Sequence, residues 1–275
     1  MKKYNGLNAL IWTMVTLAYA LLSGHCAAQS ASDNEADASP TAESFHRVTF
    51  KAPDEFLLSA LYYAGNPDVK IERAAAVLLI HDCSHNSEQY QPLMDLLVEK
   101  GVHALALDLR GFGKSTSPVF SHQDIKLKAK DVVTYQGEMA KLNVFWQGDI
   151  LAGFNFLREK AGDTARIGVL TAGCTARYAI GLAEEIRVSS FVMITPELSY
   201  ADKEDYKNLF DIPALFVSSV HHANTHQTAK ELYDWNGDKR SSIQLFKGDR
   251  YGYRLIVNQP FLNQNIAGWL SHVLR

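Results

Sequence analysis

The chain has 275 residues, 47% of them hydrophobic and 21% charged, with a formal net charge of −3. That is apolar material enough for one large core, and an α/β fold of this size needs no second domain. The mildly acidic balance argues against nucleic acid or an anionic membrane as the partner.

Lys2 and Lys3 precede an apolar run from Leu10 to Leu22, followed by Ser23-Gly24-His25-Cys26-Ala27-Ala28, the n-, h- and c-regions of a secretory signal. Residues 1–28 are read as a bacterial-type signal peptide cleaved after Ala28, giving an exported, periplasmic or secreted protein. The apolar run is shorter than the ~20 residues a spanning helix needs, so no stable membrane anchor is expected after cleavage. A lipoprotein signal at Cys26 is the weaker reading, because His25 stands where a small residue is expected. Cleavage removes two lysines and no acid, leaving 25 basic against 30 acidic residues, net −5. Residues 29–44 are small, polar and acidic and are read as a disordered linker; residues 45–275 are read as a single domain.

Phe45–Lys51 and Glu55–Tyr63 read as two strands of a hairpin turned at Pro53-Asp54. The run Ala74–Ile80 is apolar throughout, as a parallel strand covered on both faces requires. His81-Asp82-Cys83-Ser84-His85 follows, then an amphipathic segment Ser87–Lys100 and a second buried strand Val102–Leu107. The next letters, Asp108-Leu-Arg110-Gly111-Phe-Gly113-Lys-Ser115, end like a phosphate loop. That motif needs glycine where Asp108 stands, so it is rejected. Residues 116–137 read as polar and irregular, and Met139–Lys160 as one helix packed on the sheet. Ala165–Ala179 reads as strand, tight turn and helix. Val188–Ile194, Ile212–Val217 and Ile243–Phe246 read as further strands, Tyr206–Phe210, Gln227–Trp235 and Pro260–Leu274 as helical. Alternation of this kind makes a mostly parallel sheet with helices on both faces.

The turn Thr171-Ala172-Gly173-Cys174-Thr175 and the loop Asp108–Ser115 together resemble the alpha/beta-hydrolase family, whose elbow is written G-x-S-x-G and whose loop after the fourth strand is written D-x-R-G-x-G-x-S. The resemblance implies an alpha/beta-hydrolase fold without a large lid domain, since only about fifteen residues separate Val188–Ile194 from the next strand. It also implies a serine, acid and histidine in that chain order, as in esterases and peptidases. In this register Gly173 stands at the nucleophile. The acid falls on His222, or on His221 if the register slips by one, and the base falls on Tyr251 within Gly248-Asp-Arg-Tyr251-Gly252. All three roles are vacant, because glycine has no nucleophile and a phenol is a poor base at neutral pH. Thr171 and Thr175 replace the two flanking glycines, which is tolerable if Gly173 itself adopts the unusual backbone angles.

The family's oxyanion hole would use the N–H groups of Cys174 and Cys83. Because two such groups converge, the resemblance implies that these cysteines are bonded or within bonding reach, against the alternative of two buried thiols. His81, Asp82, His85, His221 and Asp249 are candidates to line the cleft. No His-x-x-x-His or paired-carboxylate spacing supports a metal, and no cofactor is expected. The expectation is an exported binding or scaffold protein for a small molecule or protein, not nucleic acid. Its alternatives are a hydrolase of esters or peptides using a non-standard constellation and, third, a redox protein working through Cys83 and Cys174 without the C-x-x-C spacing.

Overall fold

A computed structural model describes residues 46–275, apart from Ile71 and Pro260. The expected signal peptide (1–28) and linker (29–44) lie outside the described residues, as does Pro260 at the start of the last expected helix.

Strands β1 (His46–Lys51) and β2 (Leu57–Tyr63) form the expected hairpin, with His46 opposite Tyr62. β3 (Ala75–Ile80) leads through α1 (Gln91–Val98) to β4 (His103–Asp108), which pairs parallel to it. Every residue of β3 is buried, Ala76, Leu78 and Ile80 in one core and Ala75, Val77 and Leu79 in the other. Successive side chains alternate across the sheet, so a strand covered on both faces must be apolar at every position.

Next come three helices where the sequence suggested irregular chain and one long helix: α2 (His122–Lys128), α3 (Val132–Asn143) and α4 (Trp146–Ala161). The polar stretch 116–137 is therefore largely helical. Ser121 accepts the Asp124 N–H (3.1 Å) and Asp131 the Thr134 N–H (2.7 Å), and these caps start helices that bury too little for their periodicity to show. The expected helix Met139–Lys160 is broken at Val144-Phe145. The break places Phe145 over the buried Arg110 guanidinium (4.3 Å) and lets the Trp146 indole donate to the Arg110 carbonyl (3.1 Å).

β5 (Arg166–Ala172) runs into a 3₁₀ turn at Gly173–Thr175 and then α5 (Ala176–Glu185), the expected strand–elbow–helix. β6 (Ser190–Ile194), α6 (Tyr200–Tyr206), β7 (Ala214–Ser219), α7 (Ala223–Trp235) and β8 (Ser242–Phe246) follow. α6 begins six residues before the helical piece read from the sequence, because Ser199 and Asp202 make a reciprocal capping box (3.2 and 2.8 Å). Its helical path ends in a 3₁₀ turn at Lys207–Leu209, and no large lid lies between β6 and β7. α7 starts four residues earlier than expected, and a short helix α8 (Tyr253–Val257) that the sequence did not suggest precedes α9 (Leu262–Val273).

The eight strands lie in the order β1-β2-β4-β3-β5-β6-β7-β8, parallel from β4 to β8 and antiparallel at the β1/β2 and β2/β4 pairs. Trp146, Phe154 and Leu157 of α4 and Ala179 of α5 cover one face; Leu93 and Leu97 of α1 and Ile266 and Leu270 of α9 cover the other. From β3 the chain goes to one side to make β4 and to the other to make β5. Such a reversal opens a crevice at the carboxyl ends of those strands, where open α/β sheets bind ligands.

Candidate functional site

Five strand ends deliver the site. β3 is followed by His81–His85, β5 by Gly173-Cys174, β6 by Thr195-Pro196-Glu197, β7 by His221-His222, and β8 by the loop that carries Tyr251. Gly173 has φ +58°, a left-handed conformation in which glycine meets no Cβ penalty. That single residue takes up the strain of the elbow, so Thr171 and Thr175 on either side remain buried and ordinary. The Thr175 hydroxyl donates to the Ala172 carbonyl (2.9 Å), closing the turn from within.

The space beside Gly173 is filled by Tyr251. A Cβ built on Gly173 would lie 2.8 Å from Cε1 of Tyr251 and closer still to its Cζ and hydroxyl oxygen. The Cys174 backbone beside that oxygen acts weakly to lower the pKa of the phenol. The phenol thus occupies the space that any side chain on residue 173 would need. Its hydroxyl donates to Glu197 Oε2 (2.7 Å), and the Glu197 N–H donates to the Gly173 carbonyl (3.2 Å). Burial, and then the Glu197 carboxylate, hold the Tyr251 phenol protonated far above its usual range. A phenol so held is a hydrogen-bond donor and cannot serve as a base near neutral pH.

Glu197 has no counterpart in the triad pattern, which places its acid after β7, whereas Glu197 follows β6. The signal was Thr195-Pro196-Glu197 directly following a buried strand. Thr195 has φ +46°, a conformation that costs a β-branched residue of order 1–3 kcal/mol. It is held there by its N–H on Val217 O (2.6 Å) and by its hydroxyl, which accepts the Gly252 N–H (2.8 Å). This contact ties the β6 loop that carries Glu197 to the loop that carries Tyr251. Gly252 is also left-handed (φ +55°), and a Cβ there would run into the Asp82 carboxylate.

His222 does stand beside Tyr251, with ring centroids 5.3 Å apart, but its Nδ1 faces the Thr225 hydroxyl (2.9 Å) at the start of α7. Two other residues expected to line the cleft, His221 and Asp249, are exposed on their loops. His81 is corrected as well, from cleft-lining to fully buried. Its Nδ1 donates to the Asp82 carbonyl (2.7 Å) and its Nε2 accepts the Leu109 N–H (3.1 Å), so both nitrogens are used in a neutral ring whose pKa burial lowers.

Asp82 is the hub of the β3 loop. Its Oδ1 accepts the Ser84 N–H (2.9 Å) and lies 2.6 Å from His85 Nδ1, while Oδ2 accepts the Tyr253 N–H (3.0 Å). His85, half-exposed, packs edge-on against Tyr253 (5.1 Å). Cys83 and Cys174 are joined by a disulfide with Cα atoms 6.1 Å apart, which crosses the crevice between the ends of β3 and β5. Among the described residues no cluster of three His, Cys, Asp or Glu side chains is placed to hold a metal.

The loop Asp108–Ser115 is structural. Asp108 accepts the Ser87 N–H (2.8 Å), the Lys114 N–H (3.0 Å) and Arg47 (3.0 Å). Arg110 is buried between Asp149 (2.8 Å) and Asp54 (2.7 Å), with the rings of Phe56 and Phe145 each 4.3 Å from its guanidinium carbon.

The sequence profile of the serine aminopeptidase S33 family matches residues 71–148, a segment from before β3 into α4 that includes the Asp108–Ser115 loop and stops short of Gly173, His222 and Tyr251. No curated protein matches the chain in sequence. Solved structures similar to it include a cold-adapted esterase from an Arctic intertidal metagenomic library, 16% identical with a TM-score of 0.59 over 83% of this chain and 93% of that one. A dienelactone hydrolase from Anabaena variabilis is 13% identical with a TM-score of 0.61 over 84% and 99%. An esterase from Pyrococcus furiosus is 17% identical with a TM-score of 0.56 over 84% and 91%.

Proposed function

From a chain with the alpha/beta-hydrolase fold whose nucleophile position is a glycine, we propose an exported protein that does not hydrolyse substrates at this crevice and acts by binding or scaffolding. The observation that supports the reading is the Tyr251 phenol filling the space that a Cβ on Gly173 would need. Removal of the nucleophile and filling of its space are two halves of one arrangement, since the phenol fits only against a residue without a Cβ. A protonated phenol on a carboxylate and a histidine turned towards Thr225 leave neither group placed as a base in this arrangement. The disulfide and the Thr195–Gly252 contact brace it from two sides. The partner is a small molecule or a protein, and the net charge disfavours nucleic acid.

Purified protein treated with a fluorophosphonate probe and with short-chain p-nitrophenyl esters is expected to show no covalent label and no saturable turnover. Either one overturns the proposal. One observation favours the second reading, a hydrolase with a non-standard constellation: Asp82 orients the His85 imidazole as an acid orients a catalytic base. That pair lacks an attacking group, because among the described residues no hydroxyl is bonded to His85 Nε2. Turnover that disappears in His85→Ala would establish it.

A further inference from the structure

The corner between α2 and α3 carries Lys126, Leu127, Lys128 and Lys130, then Val132 and Val133. Its inner face is pinned. His122 stacks on Phe112 (ring centroids 4.4 Å), its Nε2 lies 3.0 Å from the Tyr135 hydroxyl, and Ile125 packs against the core. The outer face is left to solvent, with Leu127 76%, Val132 68% and Val133 78% exposed. Single exposed apolar residues need no explanation. Three of them among three lysines, on a corner fixed from behind, supply together the apolar burial and the cationic attraction by which surface segments hold a membrane.

The charge on this corner runs against that of the chain. Residues 126–130 contain three lysines and no acid, although the chain as a whole carries −3. The nearby acids are occupied: Asp124 pairs with Lys128 (3.3 Å) and Asp131 caps α3. Charge acts over about 8 Å at physiological salt, so the surface meets Asp124 and Asp131 with the lysines, residues 124–133 presenting a net +1, with Lys126 and Lys130 in no ion pair among the described residues. The overall acidity that argues against a membrane partner is therefore no obstacle at this one place. A second copy of the chain is a poor occupant, because a two-fold contact sets lysines against lysines.

We infer that the α2–α3 corner docks reversibly on an anionic phospholipid surface, with Leu127, Val132 and Val133 entering the headgroup boundary and the lysines lying on the phosphates. This goes beyond the proposed function and does not depend on whether the crevice is silent.

The test is co-sedimentation of the chain from Gln29 onward with vesicles of phosphatidylcholine plus phosphatidylglycerol, and with phosphatidylcholine alone. Binding is expected to the mixed vesicles only and to weaken with added salt. Each lysine near such a surface is worth about a fivefold change in partitioning, so Lys126→Glu, Lys128→Glu and Lys130→Glu together should reduce binding at least about tenfold. Leu127→Ser with Val133→Ser removes apolar surface without changing charge, and should also reduce binding to the mixed vesicles. All five positions are exposed, so melting temperatures should stay at the wild-type value and show that lost binding is not lost folding. Wild-type protein that stays in the supernatant with mixed vesicles, or variants that bind as well as wild type, would overturn the inference.

Discussion

Replacing Gly173 by serine is expected to destabilise the protein without making it an esterase. The new Cβ must sit where Tyr251 now lies, 2.8 Å from Cε1 and nearer to the hydroxyl, so the phenol has to leave. Expelling it forfeits the hydrogen bond to the Glu197 carboxylate, worth about 1.5–3 kcal/mol for a charged acceptor. Residue 173 also keeps φ +58°, which costs a non-glycine residue roughly 1–2 kcal/mol. The sum is about 3–5 kcal/mol, or a melting temperature lower by about 6–20 °C in a domain of this size. Tyr251→His shortens the side chain and should relieve the clash. The double variant Gly173→Ser/Tyr251→His should therefore be more stable than additivity of the two single changes allows, by at least about 1 kcal/mol. Urea unfolding of the four proteins measures this coupling, and p-nitrophenyl butyrate hydrolysis is followed on the same samples. Gly173→Ser lacks a base and should be inactive. Only addition of both Tyr251→His and His222→Asp offers a complete serine, histidine and acid set. A Gly173→Ser melting point within 2 °C of wild type, against the loss of about 6 °C or more, or effects that simply add, would refute the claim that Tyr251 fills the nucleophile's place.

The Cys83–Cys174 bond closes a loop with a sequence separation of 91, so Cys83→Ser/Cys174→Ser should cost about 4–5 kcal/mol on the chain-entropy argument. An unchanged urea midpoint on adding reductant would contradict this. Arg110→Ala leaves Asp149 buried without its cation and should cost about 3–5 kcal/mol; a loss below about 1 kcal/mol by the same assay would mean that the aromatic cage alone holds the site. Burial raises the Asp149 carboxyl from 3.8 to about 6 despite the opposing Arg110, so between those values the folded protein holds a proton that the unfolded chain has lost. The stability this group contributes is complete below pH 4 and is lost as the pH rises through 6. At 1.36 kcal/mol per pH unit the loss is at most about 3 kcal/mol. It is read as the stability of wild type minus that of Asp149→Asn, a difference in which Asp54, held low by Arg110, largely cancels. A difference that is flat or rises from pH 4 to 6 would show that the carboxyl is not raised.

Much of the fold was legible because its signals are local. Ala74–Ile80 is apolar at every position since both faces of β3 are covered, and no neighbouring segment is needed to see it. The elbow likewise announced its backbone, because two threonines in place of the flanking glycines left Gly173 as the residue to take the left-handed turn. Where burial is slight the periodic signal fails. α2 buries no residue, so only its caps mark it, and the break at Val144-Phe145 answers to Arg110, more than thirty positions earlier in the chain. The same limit governs the site. In the register of the resemblance Gly173, His222 and Tyr251 stand where the pattern has serine, acid and histidine, and that much was legible in the sequence by itself. That the vacancy is filled, and by what, depended on the tertiary structure, because Tyr251, Glu197 and Gly173 come from three separate strand ends and meet only when the sheet sets them side by side. Steric exclusion and hydrogen bonding act over a few ångströms in space, whatever the distance along the chain.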